Sequence, residues 1–309
     1  MQTAEKYFMT VAEEKGISSA ARVLYITQQS LSEQMQKLEQ LYGSKLFLRK
    51  PRFQLTQEGE ALYRTLQKVR ILEDGLQTEL TEIRDKQHGL LNIGIHSVRA
   101  RCILPETLVR FRALCPNVKL NFYSHDTSDF EKMLLNGDLD LFFGINARDL
   151  PEFRRIRIAS EAAFLVVSAD YLEKTLDRDP AEIGIITRED LQKMTLILNQ
   201  QATNFRLRIN EYLEGLTFAP EQIISVDGYY VQMELASRQL GACFCPQQML
   251  RNALLPRASR ISGRLLSFPI PEITDSNELY LVTHRHAYQS GYMKTFLEIL
   301  IEECRRSME

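Results

Sequence analysis

The feature that most constrains the fold is a change in the pattern of apolar residues near residue 88. Before this point, apolar side chains recur at intervals of three and four, which indicates helices. After it, short apolar runs such as Leu91–Ile95 and Val118–Tyr123 alternate with helical segments, and this alternation predicts a parallel α/β architecture. Because the chain has 309 residues, we expect two or more domains rather than one.

The composition excludes several classes of protein. Apolar residues make up 44% and charged residues 25%, which is ordinary for a folded globular chain and unlike a disordered or collagen-like one. No apolar run reaches the roughly 18 residues that suggest a membrane span, so we expect no membrane contact. Five scattered cysteines and an N-terminus unlike a secretory signal predict a reduced, cytoplasmic protein.

Residues 1–56 are predicted to form three short helices and a hairpin. The first helix carries Phe8 and Val11 and stops near Gly16. We expect Ser18 to cap the second helix and Thr27 to cap the third, which ends at Gly43. The inward side chains of the second and third helices are predicted to be Ala20, Ala21, Leu24, Leu31, Met35, Leu38 and Leu41. A strand–turn–strand is predicted over residues 45–55.

A long helix is predicted from Thr56 to about Gln87. Its apolar residues follow steps of four and three, interrupted by Glu73, and such a heptad seam usually pairs helices. The alternative is that the helix packs only on its own domain. The predicted dimerisation seam consists of Leu62, Leu66, Val69, Leu76, Leu80 and Ile83.

Several motifs resemble those of the LysR-type transcriptional regulators. They are Ala20–Leu24, Thr27–Ser32, Leu38–Glu39, Leu41–Gly43, Leu46–Phe47, Leu55–Gly59, Leu104–Pro105, Phe111–Arg112, Pro116–Leu120 and Gly137–Leu141. The resemblance implies a multi-domain α+β protein with a winged helix-turn-helix (1–56), a linker dimerisation helix (57–87) and an effector domain (88–309). That last domain is expected to have the periplasmic-binding-protein fold, with lobe I formed by 88–162 and 268–309 and lobe II by 163–267.

The polar face of the third helix and the hairpin tip are the candidate DNA-binding surface. Glutamine can bridge adenine N6 and N7, and arginine or lysine at a wing can contact phosphates. The candidates are Thr27, Gln28, Gln29, Ser30, Ser32, Glu33, Gln36, Lys37, Arg49, Lys50 and Arg52. The family commonly has arginine where this chain has Glu33. Either Glu33 points away from DNA or it selects among sequences, for example by accepting from a cytosine amino group.

The ends of the predicted strands are the candidate effector site, since ligands of α/β folds bind at the carboxyl ends of strands. The candidates are Ser97, Val98, Arg99, Ser124, His125, Gly144, Ile145, Gln201, Thr203 and Asn204. Ser97 and Thr203 hydroxyls near helix starts favour a small anion, with Arg99 or Arg101 as the counter-charge. The alternative is that Arg99 and Arg101 are exposed residues at a helix start.

Signals for catalysis are weak. Asp138 and Asp140 fit a simple alternation with Leu139 and Leu141, and His284 with His286 fits a surface pair better than a metal site. Cys243 and Cys245 are expected in the core. We therefore predict no enzyme activity, no cofactor and no metal.

The predicted function is that of a ligand-responsive DNA-binding regulator, whose partners are double-stranded DNA, a small effector and further copies of the chain in a homo-dimer or homo-tetramer. The alternative is a small-molecule-binding protein or enzyme on a binding-protein fold, whose N-terminal helices serve only for assembly.

Overall fold

The structure is a computed structural model that describes residues 1–48, 52–84, 88–200, 204–254, 265–274 and 278–308. Residues 1–84 contain α1 (Thr3–Glu13), α2 (Ile17–Val23), α3 (Gln28–Tyr42), β1 (Phe47–Leu48), β2 (Gln54–Leu55) and α4 (Gln57–Arg84). Next come β3 (Gly89–Ile95), α5 (Ser97–Leu114), β4 (Val118–Tyr123), α6 (Thr127–Asn136), β5 (Leu141–Ile145) and β6 (Phe153–Ser160).

The remaining elements begin with β7 (Ala163–Ser168), α7 (Ala169–Leu176), α8 (Arg188–Gln192), β8 (Leu196–Leu198), α9 (Asn204–Leu213), β9 (Ile223–Ser225) and α10 (Tyr229–Ser237). They continue with β10 (Ala242–Pro246), α11 (Gln247–Leu254), β11 (Leu265–Pro269), α12 (Pro271–Thr274), β12 (Glu278–His284) and α13 (Gly291–Met308). None of the helices in the described ranges has the length and apolar character needed to cross a bilayer.

The N-terminal helices pack around a small core. Phe8, Leu31 and Met35 are fully buried there, and β1 pairs with β2 as the predicted hairpin. The Thr27 hydroxyl accepts a hydrogen bond from the Ser30 N–H at 3.2 Å, and Gly43 ends α3 with a φ of +65°, as the cap residues predict.

Two details of this region differ from the sequence prediction. Ser18 lies inside α2, whose N-cap is Gly16, so the cap prediction was wrong by two residues. Leu41 is 69% exposed rather than buried. Helical spacing identifies the face of a helix, but it does not show where the neighbouring elements stop covering that face.

Two five-stranded sheets form the rest of the protein. The first, which we call lobe I, has the strand order β4-β3-β5-β12-β6, and the second, lobe II, has the order β11-β7-β10-β8-β9. In lobe I, β3 runs parallel to β4 and β5, while β12 is antiparallel to β5 and β6. The sheets are therefore mixed rather than wholly parallel.

The chain passes between the lobes twice. It leaves lobe I between β6 and β7 and returns between β11 and β12. β11 pairs with β7 through Phe268 and Pro269. These two residues, assigned to lobe I from the sequence, thus lie in the lobe II sheet, because that strand extends past the expected crossing point.

Several element boundaries also differ. The apolar spacing predicts a helix over residues 104–114, but α5 begins at Ser97, seven residues earlier, and Pro105 lies inside the helix. β6 was missed because it is an edge strand that contains three arginines and no long apolar run.

Candidate nucleic-acid interface and ligand cavity

The outward face of α3 carries the predicted DNA-contacting residues. Its inward face buries Leu31, Met35 and Leu38, so the opposite face is left to solvent. The residues exposed on or next to α3 are Thr27, Gln28, Gln29, Ser30, Glu33, Gln36 and Lys37, while Ser32 is half-buried. The structure thus brings all of the α3 candidates to one accessible surface.

Two side-chain hydrogen bonds organise the start of this surface. The Ser18 hydroxyl donates to Gln28 Oε1 at 2.9 Å, and the Gln29 amide Nε2 donates to Glu33 Oε1 at 3.2 Å. Glu33 therefore lies along the helix toward Gln29. Beside it, an open groove of about 520 Å³ lies between the start of α2, α3 and Phe53 next to the hairpin.

The hairpin is held against α3 by a residue that the site prediction did not include. The buried Glu39 carboxylate accepts from the Leu46 N–H at 3.0 Å and from Lys45 Nζ at 2.9 Å. Burial acts to raise the pKa of Glu39, but these hydrogen bonds outweigh it and lower the pKa below its usual value. Arg52 is exposed at the hairpin, while Arg49 and Lys50 lie outside the described residues.

The residues of the predicted dimerisation seam lie in two different environments, one buried and one exposed. Leu66 is only 4% exposed and packs, with Leu62, in the core of the N-terminal helices. Leu76, Leu80 and Ile83 are exposed, and Leu72, which the sequence analysis omitted, is 56% exposed on the same side. The apolar stripe, which is exposed within the part of the chain that the structure describes, consists of the half-buried Val69 together with Leu72, Leu76, Leu80 and Ile83.

A polar junction connects the N-terminal helices to lobe I. Asn136, the last residue of α6, accepts from Gln67 Nε2 at 2.6 Å through its side chain and from Arg70 through its carbonyl oxygen. Arg70 also pairs with Glu13 of α1 at 3.5 Å. Side chains of α4 therefore contact both α1 and the end of α6 in lobe I at the same point.

A cavity of about 380 Å³ lies between the lobes and takes residues from both sheets. The predicted site residues that line it are Ser97, Val98, Arg99, His125, Gly144 and Ile145. Ser124 lies next to them, since its hydroxyl accepts from the Ser97 N–H at 2.9 Å. Gln201, Thr203 and the Asn204 side chain lie outside what the structure describes. His96 and Asp126, which follow the first two predicted strands of this region and are expected at the cleft from that position, also line it. The lining residues that the prediction missed are Thr127, Phe130, Phe143, Asn199, Phe205, Asp227, Gly228, Tyr229, Pro246 and Met249.

A buried ion pair forms one wall of this cavity. Arg99 is 6% exposed, and its guanidinium donates to Glu161 Oε2 at 2.5 Å and to Gln248 Oε1 at 3.2 Å. Burial acts to lower the pKa of Arg99, but the Glu161 carboxylate outweighs it and raises the pKa above its usual value. The alternative prediction of exposed arginines at a helix start is therefore wrong for Arg99, whereas Arg101 is exposed as that alternative expects.

Histidine and acidic residues occupy another part of the cavity wall. His96 Nδ1 accepts from the Val98 N–H at 3.4 Å, and burial lowers the pKa of His96 despite the nearby Asp126 carboxylate. Asp126 and Asp227 also line the cavity. The lining therefore combines hydrogen-bond donors, carboxylates and aromatic rings.

The residues considered for catalysis do not converge on a site. His284 ends β12 and is 3% exposed, and His286 lies in the following turn, so the predicted surface pair on one strand was wrong. Burial and the neighbouring His286 lower the pKa of His284 to about 4. Cys243 and Cys245 are buried in the core as predicted. The described residues include no group of three side chains suited to a metal ion.

Comparison with protein families identifies the class to which these features belong. Residues 4–60 match the model described as "Bacterial regulatory helix-turn-helix protein, lysR family", and residues 84–305 match "LysR substrate binding domain". The chain belongs to the LysR family of transcriptional regulators, which confirms the resemblance seen in its motifs.

Individual relatives extend along nearly the whole chain. An uncharacterized HTH-type transcriptional regulator, YcgK of Bacillus subtilis (strain 168), is 25% identical over 98% of this chain and 95% of its own length. The HTH-type transcriptional regulator CzcR of the same organism is 24% identical over 97% of both chains.

Solved structures share the fold. Full-length OxyR from Pseudomonas aeruginosa, in a variant with one cysteine changed to aspartate, aligns over 99% of this chain and 95% of its own, with a TM-score of 0.64 and 18% identity. Full-length CbnR, in a structure with its target DNA, covers 98% of this chain and 100% of its own, with a TM-score of 0.53 and 18% identity.

Proposed function

We propose that this chain is a sequence-specific DNA-binding regulator that binds its operator as a homo-oligomer and responds to a small effector held between its lobes. The observation that carries the proposal is the exposed polar face of α3 within a domain that matches the lysR helix-turn-helix model. Glutamine and serine side chains on such a helix can contact base edges in the major groove. A regulator of this kind acts where the DNA is, in the cytoplasm.

The exposed stripe on α4 supports assembly into a dimer. Leu72, Leu76 and Ile83 expose large apolar side chains at steps of four and seven residues along one side of a helix. A second copy of α4 would cover this stripe by heptad packing, and a two-fold axis would then present two copies of α3 to two half-sites.

Selection from a random DNA library tests the function directly. We expect the purified protein to enrich a two-fold related motif, and single variants then separate base reading from phosphate contact. Gln29→Ala should cost about 1–3 kcal/mol at the selected site and little on random DNA. Arg52→Ala should weaken binding to both and reduce the salt dependence by about one unit.

One outcome would contradict the proposed function, and a second would contradict only the role given to Gln29. If no motif is enriched at any salt concentration, the N-terminal helices serve assembly alone, as the alternative function requires. If Gln29→Ala weakens specific and random binding equally, Gln29 contacts the backbone and not a base.

The cavity supports a small effector with an anionic group. A guanidinium has five N–H donors, and Arg99 uses one each for Glu161 and Gln248, so it can bond a ligand without leaving its partners. Ser97 and His125 add polar groups to the same wall. Because Glu161 neutralises the charge of Arg99, hydrogen bonds from the cavity wall rather than net charge would hold the anion. Asp126 and Asp227 would face a hydrogen-bond-donating or cationic group of the same molecule.

A thermal-shift screen with small carboxylates and amino acids tests the effector site, because a ligand that binds the folded state stabilises it. For any compound found, Ser97→Ala combined with Ser124→Ala should weaken binding by about tenfold, equivalent to ~1.4 kcal/mol. Thr295→Ala on α13, which removes a hydroxyl outside the cavity, is the matched control and should leave the affinity unchanged. If only neutral apolar compounds stabilise the protein, the argument for an anion is wrong.

A further inference from the structure

The two glutamines at the start of α3 have hydrogen-bond partners of different chemistry. Gln29 donates its amide N–H to the Glu33 carboxylate, whereas Gln28 accepts from the Ser18 hydroxyl. All of the glutamine and glutamate side chains involved are exposed on the outward face of the helix. We propose that Glu33 is a positioning residue that fixes the Gln29 amide in one orientation and so makes Gln29 a reader of adenine; this inference rests on the proposed function.

The orientation follows from the chemistry of the partner. An ionised carboxylate can only accept hydrogen bonds, so the amide nitrogen of Gln29 must face Glu33 and the amide oxygen must face away. A hydroxyl such as that of Ser18 can either donate or accept, so it places no such constraint on Gln28. Glu33 therefore decides which polar groups Gln29 presents, and Ser18 does not do so for Gln28.

The groups left on Gln29 match one base better than the others. Its carbonyl oxygen and its second N–H remain available, which fits the N6 donor and N7 acceptor of adenine. Guanine offers two acceptors, O6 and N7, at the corresponding positions, and the carbonyl oxygen of Gln29 would face guanine O6 without a hydrogen between them. Turning the amide over to suit guanine would place the carbonyl oxygen against the Glu33 carboxylate.

The charge of Glu33 has a second consequence. A carboxylate on the DNA-facing helix repels phosphates of every sequence, so it lowers affinity for random DNA as well as for the operator. Its benefit to the protein is then discrimination rather than affinity. Discrimination between bases therefore explains why an acidic residue is present on a DNA-facing surface that would otherwise be expected to be neutral or basic.

The test compares base preferences rather than affinities alone. Library selection is run with the parent, Gln29→Ala, Glu33→Gln and the double variant Glu33→Gln with Gln40→Glu. In Glu33→Gln the new side-chain amide can both donate and accept, so it would no longer fix the Gln29 amide. In the double variant the charge returns to an exposed residue of α3 eleven residues from Gln29, where it cannot reach that amide by the (i, i+4) contact. Gln40→Glu alone is the matched control, because Gln40 is not among the candidate DNA-binding residues, and unchanged thermal melting shows that all variants fold.

We expect the parent motif to contain an adenine in each half-site whose enrichment is lost in Gln29→Ala. In Glu33→Gln the preference for adenine over guanine there should fall by about tenfold, while binding to random DNA strengthens. The double variant should recover the parent's binding to random DNA but not the adenine preference. An unchanged preference in Glu33→Gln, or in Gln29→Ala, would overturn the inference while leaving the proposed function in place. A parent that enriches no motif would instead overturn both.

Discussion

At the scale of single residues, Asp140 shows how a candidate catalytic group turns out to be structural. Its carboxylate accepts from the Asn92 N–H at 2.7 Å and so connects the residue before β5 to β3. Burial raises the pKa of Asp140 to about 6, and the Asp74 carboxylate on α4 adds to the shift, although the Asn92 hydrogen bond opposes it. Asp138, two residues earlier, is exposed.

The raised pKa predicts a pH-dependent effect of Asp140→Asn. A carboxyl group whose pKa is raised on folding favours the folded state fully below its unfolded pKa of about 4, and this contribution is lost as the pH rises through about 6. Asp140→Asn should therefore be more stable than the parent at pH 7.5, by about 1–2 kcal/mol, and the gain should disappear near pH 4.

Urea unfolding at several pH values measures this difference, and Asp138→Asn is the matched control. Because Asp138 is exposed, its variant should not show the gain in stability that Asp140→Asn shows at pH 7.5. A gain for Asp140→Asn that does not change with pH would show that the substitution acts through packing and not through the proton.

The sequence predicts some of the site residues and misses others for a physical reason. The exposed face of α3 could be predicted because the buried residues of a helix define its free side within a few positions. The environment of Arg99 could not, because its partner Glu161 is 62 residues away and the two meet only through the tertiary fold. The same holds for Asp227 and Tyr229, which reach the cavity from lobe II.

At the scale of elements, α4 contacts three different parts of the protein along its length. Leu66 packs in the N-terminal core, and Ile71 lies against Gly137 of lobe I. Near its end, Glu82 accepts from Tyr288 at 2.9 Å and from the Gly291 N–H at 2.7 Å. The heptad pattern predicts the helix and its amphipathic character, but the point at which it passes from its own domain to an exposed stripe depends on contacts that no local pattern contains.

The exposed stripe predicts the effect of charge on assembly. Leu72→Asp combined with Leu76→Asp would place unpaired carboxylates in the proposed dimer contact, where they would be desolvated without partners. We expect a folded monomer that has lost specific DNA binding, measured by analytical ultracentrifugation and by gel shift. Leu66 is unsuitable for this test, because its substitution would disrupt the N-terminal core.

Gln77→Asp combined with Thr81→Asp provides the control on the same helix. Both residues are exposed and lie away from the apolar stripe, so the double variant adds the same charge outside the proposed contact. It should assemble and bind DNA as the parent does. If the Leu72 and Leu76 variant sediments as the parent oligomer, the subunits associate through another surface.

At the scale of the whole molecule, Glu161 lies where the chain first passes between the lobes. It follows β6 of lobe I and precedes β7 of lobe II, and it bonds both Arg99 of α5 and the Gln248 N–H of α11, the latter at 3.3 Å. Arg101 on α5 also lies over the ring of Tyr230 of α10, 4.2 Å from its centroid. A ligand that bonds Arg99 would act on the contacts that set the angle between the lobes, and it can shift that angle only by binding one arrangement better.

Glu161 is therefore expected to be a main determinant of the stability of the effector domain. Glu161→Gln keeps the size of the side chain but leaves the buried Arg99 charge uncompensated, and breaking a buried pair in this way costs about 3 kcal/mol. Urea unfolding should show this loss, whereas Glu211→Gln, which removes the partner of Arg208 in an exposed pair on α9, should change the free energy of unfolding far less. If the two substitutions lowered the free energy of unfolding equally, Arg99 would have found another partner when Glu161 is neutral. The ion pair between Arg99 and Glu161 would then not hold the two lobes at their observed angle.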